Sequence, residues 1–293
     1  MLTGLLLEPR TAGPHPGVVY VPGSGGIGRD NVWPFLMANH LAMNGIAVLL
    51  PDKRGTGKSG GDWKIADFWE LATDTLAGVR LMQSQKGVNP KRVGLVGLSQ
   101  GGWIAPLAAA RSRDVAYVVA ISGPGVQVKE QMLHETVQDL KRAHALEAGI
   151  QEVVDLFKLL ERHLRGEVPW QEYETALKAK KVGSKSILFK DFPSTPDDWH
   201  LGFYQRIGPF DPIPYWQRLD VPILILYGEQ DETHLVPVRA SVARLRDALA
   251  PKDPTRWTIK VFPDTGHGLG DPKINGLRKD FLDCLTSFIC EAH

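Results

Sequence analysis

The chain has 293 residues, 43% hydrophobic and 23% charged, which suits one large α/β domain carrying an insertion. Its 34 lysines and arginines stand against 33 acidic residues, so the charge balance gives no case for nucleic acid or an anionic membrane as a partner. No apolar stretch approaches the ~18 residues of a membrane span, and a soluble cytoplasmic globule is expected.

At the start, Met1-Leu2-Thr3-Gly4-Leu5-Leu6-Leu7-Glu8 has no basic segment and too short an apolar run for a signal peptide. Short apolar runs predict strands at residues 5–7, 17–21, 46–50, 92–97, 117–121, 223–227 and 258–262. Most lack alternation, as strands buried on both faces should. Between them fall helical patterns. Asp67-Phe68-Trp69-Glu70 reads as a capping box that opens a helix with Phe68, Leu71, Ala72, Val79 and Met82 on one side. Further helices are expected at residues 101–111, 237–249 and 279–291. This alternation predicts an α/β fold with a mostly parallel central sheet and flanking helices.

The strand pattern stops after Gly125 and resumes at Val221. In between, Val153, Leu156, Phe157, Leu160 and Leu164 lie at helical spacing and Gly166 is a natural stop. The expected organisation is a core of residues 1–125 and 216–293 with an inserted helical cap at 126–215. Near the C-terminus, Cys284 and Cys290 point to opposite faces of one predicted helix, so they read as unpaired apolar fillers in a reducing compartment.

Three glycine-rich segments invite different chemistries. Gly23-Ser24-Gly25-Gly26-Ile27-Gly28 fits the dinucleotide fingerprint, with Asp52 at a suitable distance, but the apolar helix pattern begins only near Trp33-Pro34. Arg54-Gly55-Thr56-Gly57-Lys58-Ser59-Gly60 imitates a phosphate-binding loop, yet the glycine that should begin the cradle is Asp52. Gly57-Lys58-Ser59-Gly60-Gly61 even satisfies G-x-S-x-G, without the strand and helix that should flank it. Gly97-Leu98-Ser99-Gln100-Gly101 has both flanks, a predicted strand before and a predicted helix after. That context is a nucleophile elbow, with Ser99 exposed on a sharp turn and the Gln100 N–H aimed at a developing oxyanion.

A serine hydroxyl needs a base, and nine histidines are available. The expected chain order of serine, acid and histidine favours His267, in the glycine-flanked loop after the last strand. His234 is the competitor, three residues from the candidate acid. In the loop after the penultimate strand, Asp231 is the expected acid and Glu229 the alternative. The second oxyanion donor should come from the loop after residues 17–21, which selects the Ser24 N–H, with Gly25 beside it.

Taken together, Val21 to Gly26, Pro51 to Ser59, Gly97 to Gly102, Gly228-Glu229-Gln230-Asp231 with Val236-Pro237, and Thr265-Gly266-His267 make the chain resemble the α/β-hydrolase superfamily. The similarity is strongest to bacterial esterases related to prolyl-oligopeptidase and bile-acid acyltransferase catalytic domains. It implies acyl transfer to water through an acyl-serine, without metal or cofactor, under a cap. Members usually carry a further strand before the position of Leu2, which leaves the sheet's edge open here. Asp30 and Arg54 recur in such sequences and are expected to form an ion pair holding the oxyanion loop.

Trp199, Phe203, Tyr204, Phe210, Tyr215 and Trp216 crowd the end of the expected cap. With Gly25 and Trp103 near the loops, Trp199, Phe203 and Tyr204 suggest a pocket for a small to medium apolar or aromatic acyl ester. Peptidase and thioesterase chemistry would use the same triad. A nicotinamide-dependent oxidoreductase and a non-catalytic binding protein on the same fold are the rivals from other classes.

Overall fold

The valine- and leucine-rich runs become strands because their side chains fill both faces of a covered sheet. In the computed structural model, which describes residues 1–180, 188–189, 192–271 and 273–292, β1 (Gly4–Leu7) leads to β2 (His15–Val21), α1 (Val32–Met43) and β3 (Ala47–Pro51). Then follow α2 (Phe68–Gln83), β4 (Val88–Leu98), α3 (Gly101–Ala109) and β5 (Val118–Ile121). Four helices come next, α4 (Val128–Arg142), α5 (Glu147–Leu164), α6 (Trp170–Lys180) and α7 (Trp199–Ile207). The chain continues through α8 (Ile213–Arg218), β6 (Ile223–Gly228), α9 (Val238–Leu249) and β7 (Trp257–Phe262). A small hairpin, β8 (Gly270–Asp271) with β9 (Gly276–Leu277), precedes α10 (Lys279–Glu291).

The seven longer strands form one sheet in the order β1-β3-β2-β4-β5-β6-β7. All neighbours are parallel except β1, which runs antiparallel to β3 and supplies the edge that the family resemblance left open. Successive side chains on each strand point to opposite faces. Val18, Val48, Val96, Val119 and Leu224 share a buried cluster with Met37 and Leu41 of α1 and with Phe281, Leu285 and Ile289 of α10. Their chain neighbours Val19 and Leu49 face the other way, where Gly78 of α2 lies against both. Each such apolar side chain contributes about 1.5–3 kcal/mol by leaving water. The capping box is present: Glu70 N donates to Asp67 Oδ1 at 2.8 Å and Asp67 N to Glu70 Oε2 at 3.1 Å.

The chain divides into two compact units, Met1–Val126 with Asp211–His293, and Gln127–Phe210. The smaller unit has its own core, in which Val153, Leu156, Phe157 and Leu160 of α5 meet Tyr173, Leu177 and Leu201. α8, with the buried Trp216, belongs to the larger unit. Both cysteines are free; Cys284 packs against the core, whereas Cys290 is exposed and is no filler. Among the described residues, no helix is long and apolar enough to cross a membrane.

Candidate active site

Parallel strands deliver their following loops to one edge of a sheet, and Ser24, Ser99, Asp231 and His267 arise there, after β2, β4, β6 and β7. Ser99 follows β4 directly and has φ +54°, a left-handed conformation that costs a non-glycine residue roughly 1–2 kcal/mol. The surroundings enforce it. Ser99 N donates to Ile121 O at 2.9 Å, and Gly102 N donates to Ser99 O at 2.8 Å as α3 begins. A Cβ on Gly97 would strike Gly101 O, and one on Gly101 would strike Val21 O, so the turn closes only with glycine at both positions. Ser99 is partly exposed, and its hydroxyl makes no hydrogen bond among the described residues.

His267 stands in the loop after β7, and Asp231 in the short 3-10 turn Glu229–Thr233 after β6. The two meet: His267 Nδ1 lies 2.8 Å from Asp231 Oδ2, with the carboxylate fully buried and the imidazole partly open. A carboxylate only accepts, so Nδ1 carries the proton and Nε2 is left as the accepting nitrogen. The loops are tied together by Gln230 N donating to Thr265 O at 2.9 Å. Gly268 N reaches Ser122 Oγ at 3.3 Å, one residue beyond the carbonyl that holds Ser99. Glu229 is exposed, and His234 turns its ring to Gln230 O at 2.9 Å; among the described residues neither makes a hydrogen bond or ion pair with His267.

A sequence model of the alpha/beta hydrolase fold matches residues 16–271. The chain belongs to this family. Among curated relatives, this α/β hydrolase is 25% identical to "Esterase EstD" of Thermotoga maritima over 78% of its own length and 50% of the relative's. It is 23% identical to "Prolyl oligopeptidase A" of Galerina marginata, over 88% of its own length and 29% of that protein. The chain therefore spans half or less of the curated relatives it matches. The ferulic-acid complex of Est1E from Butyrivibrio proteoclasticus shares the fold, with a TM-score of 0.59, 19% identity, and 99% of this chain and 93% of that one covered.

The remaining sequence-selected residues of this α/β hydrolase fall in different places. Ser24 and Gly25 lie in the loop between β2 and α1, with Ser24 exposed and Gly25 at φ +79°. The N–H groups of Ser24 and Gln100 have no acceptor among the described residues. Trp103 is 3% exposed and stacks on Phe68 with ring centroids 5.7 Å apart. Trp199, Phe203 and Tyr204 lie on α7 in the smaller unit, where neighbouring rings touch at 5.8 and 6.1 Å. Tyr204 also lines a cavity of about 410 Å³ there, with Leu140, Phe157 and Phe192.

One expected contact is corrected. Arg54 does not meet Asp30; it pairs with Asp74 at 2.7 Å and Glu70 at 2.9 Å on α2, across the sheet from α1. The cation that braces the loop between β2 and α1 is Arg29, whose Nη2 meets Asp52 Oδ2 at 2.5 Å and whose backbone N–H also donates to Asp52. Those bonds, with one from Thr3, hold the Asp52 carboxyl well below the usual range.

Sequence reasoning also missed Trp33, whose Nε1 donates to Gly268 O at 2.7 Å and so anchors the histidine loop from α1. In the sequence it stands only where the apolar pattern of a helix begins. Trp33, Gln230, Thr265 and His267 border an open cavity of about 630 Å³ that Ser99 does not line.

Proposed function

We propose that this α/β hydrolase cleaves carboxylic esters through an acyl-serine intermediate. The observation that carries the reading is Ser99, held at φ +54° on the β4–α3 turn, at the sheet edge from which the Asp231–His267 pair also arises. Ser99 Oγ attacks the ester carbonyl carbon while its proton passes to His267 Nε2. The resulting oxyanion accepts from the N–H groups of Gln100 and Ser24, each such donor stabilising it by about 3–4 kcal/mol. Collapse breaks the bond to the alcohol, which leaves with the proton from Nε2. Water, deprotonated by His267, then attacks the acyl-serine and releases the carboxylic acid and free Ser99. Throughout, Asp231 orients the imidazole and stabilises its cationic form.

The name of the relative EstD supports the ester reading. For the acyl group we favour a small to medium apolar or aromatic acid. The aromatic residues Trp199, Phe203 and Tyr204 support that choice, as does the aromatic acid bound by Est1E. In this reading Gly25 and Trp103 contribute to acyl binding. Peptide cleavage by the same residues is the second reading, favoured by the match to a prolyl oligopeptidase. The test is turnover of p-nitrophenyl esters from acetate to octanoate beside peptidyl anilides. Ester hydrolysis that disappears in Ser99→Ala is expected; hydrolysis undiminished by that change would sink the proposal.

A further inference from the structure

Lysines rarely leave water without a carboxylate partner. Lys53, two residues beyond β3, is 6% exposed, and among the described residues no carboxylate makes an ion pair with it. Its chain neighbour Asp52 is engaged by Arg29. Instead Lys53 Nζ donates to Gly23 O at 2.8 Å and to Gln100 Oε1 at 2.6 Å, and it lies 5.7 Å from the centre of the Trp63 ring. Burial pulls its ammonium down to about 7 from the usual lysine value of 10.5. A side chain held at such a cost in desolvation has to be explained by what it touches.

One acceptor is the carbonyl that precedes Ser24 and the other is the side chain of Gln100, and Ser24 and Gln100 are the two residues proposed to form the oxyanion hole. Gly23 O and Ser24 N–H are the two ends of one trans peptide plane, pointing in opposite directions. A donor fixed on the carbonyl therefore fixes the aim of the N–H. Gln100 supplies the other N–H from its backbone, and Lys53 grips its side chain. We propose that Lys53 is a positioning residue that clamps the two halves of the oxyanion hole, through the Gly23–Ser24 peptide on one side and Gln100 on the other. The proposal rests on the serine-hydrolase reading above. Lys53 touches no substrate atom; it sets the direction of the donors that do.

The test compares wild type with Lys53→Met, which keeps the length of the side chain and removes its donors, and with Gln100→Met, which removes the acceptor. Fluorophosphonate labelling of wild-type Ser99 and p-nitrophenyl acetate turnover come first; their failure would remove the serine-hydrolase reading itself. With those in place, Lys53→Met is expected to lower kcat by about 10–100-fold, less than the loss of a whole donor, with KM changed by less than about twofold. Its melting temperature should stay within about 4 °C of wild type, because relief of the buried charge offsets two orphaned acceptors. Gln100→Met should show a kcat loss of the same kind, and the double variant should be little worse than either single one. Should Lys53→Met fail to fold, Gln100→Met alone carries the test, since it leaves Lys53 in place. A folded Lys53→Met or Gln100→Met enzyme with wild-type kcat overturns the clamp. So does a kcat loss that tracks a rise in KM and a fall in melting temperature.

Discussion

Asp231 and Glu229 sit two residues apart in one loop, and burial separates them. Asp231 is fully buried against His267 Nδ1, while Glu229 faces solvent. Asp231→Asn should therefore lower kcat by about 10³–10⁴-fold with KM nearly unchanged, because an amide facing Nδ1 stabilises the tautomer with its proton on Nε2. Glu229→Gln should leave steady-state kinetics within about twofold of wild type. Lys53 yields a second expectation at this scale. Its folded pKa, about 7, lies below the unfolded value of 10.5. Below pH 7 both states hold the proton and the burial penalty is complete. Between 7 and 10.5 the unfolded chain binds more protons, so stability rises with pH. Urea midpoints compared at pH 7 and pH 9.5 should show that gain in wild type and its absence in Lys53→Met. Equal pH dependence in the two proteins would contradict it. The placing of Ser99 and His267 in their loops was legible because strand, turn and chain order constrain it. Lys53 was not, since a lysine beside Asp52 and Arg54 reads as one more solvated charge.

The β4–α3 element is built around absent side chains. Gly101 approaches Val21 O so closely that a methyl group would strike backbone, which cannot swing aside. Gly101→Ala should cost at least about 2–3 kcal/mol in urea unfolding. Gly45→Ala offers the contrast: φ is +83° but nothing lies within 4 Å, so only the backbone conformation is penalised, by about 1 kcal/mol. Equal effects at the two sites would show that close approach does not hold the turn. The centres of all seven long strands could be read from composition, but some ends could not. β4 begins at Val88, before Pro90, and β2 at His15, before Pro16, where the register between the two strands is irregular. Proline there looks like a strand breaker, although at a strand's start it loses little.

At the scale of the whole molecule, the chain leaves the larger unit after Val126 and returns at Asp211. Arg244 of α9 fastens both points, donating to Gly125 O at 3.1 Å and to Asp211 Oδ2 at 2.7 Å. Within the smaller unit the two ends also meet, with Val128 N donating to Phe210 O at 3.2 Å. Replacing residues 128–209 by a short Gly-Ser linker should therefore leave a larger unit that unfolds cooperatively, as calorimetry would show. A non-cooperative, dye-binding product would mean that the sheet needs the insertion to fold. The loss of strand pattern after Gly125 is visible in the sequence. The grouping of α8 is not, because Tyr215 and Trp216 continue the aromatic density of α7 without a break in composition.

Ser99 is the proposed nucleophile, among several serines in glycine-rich loops. Labelling the folded protein with a fluorophosphonate and mapping the adduct by mass spectrometry examines that assignment directly. The expected result is one phosphonylated residue, Ser99, with labelling lost in Ser99→Ala and slowed in Asp231→Asn. An adduct on Ser59 or Ser24, or folded protein that stays unlabelled, would contradict it.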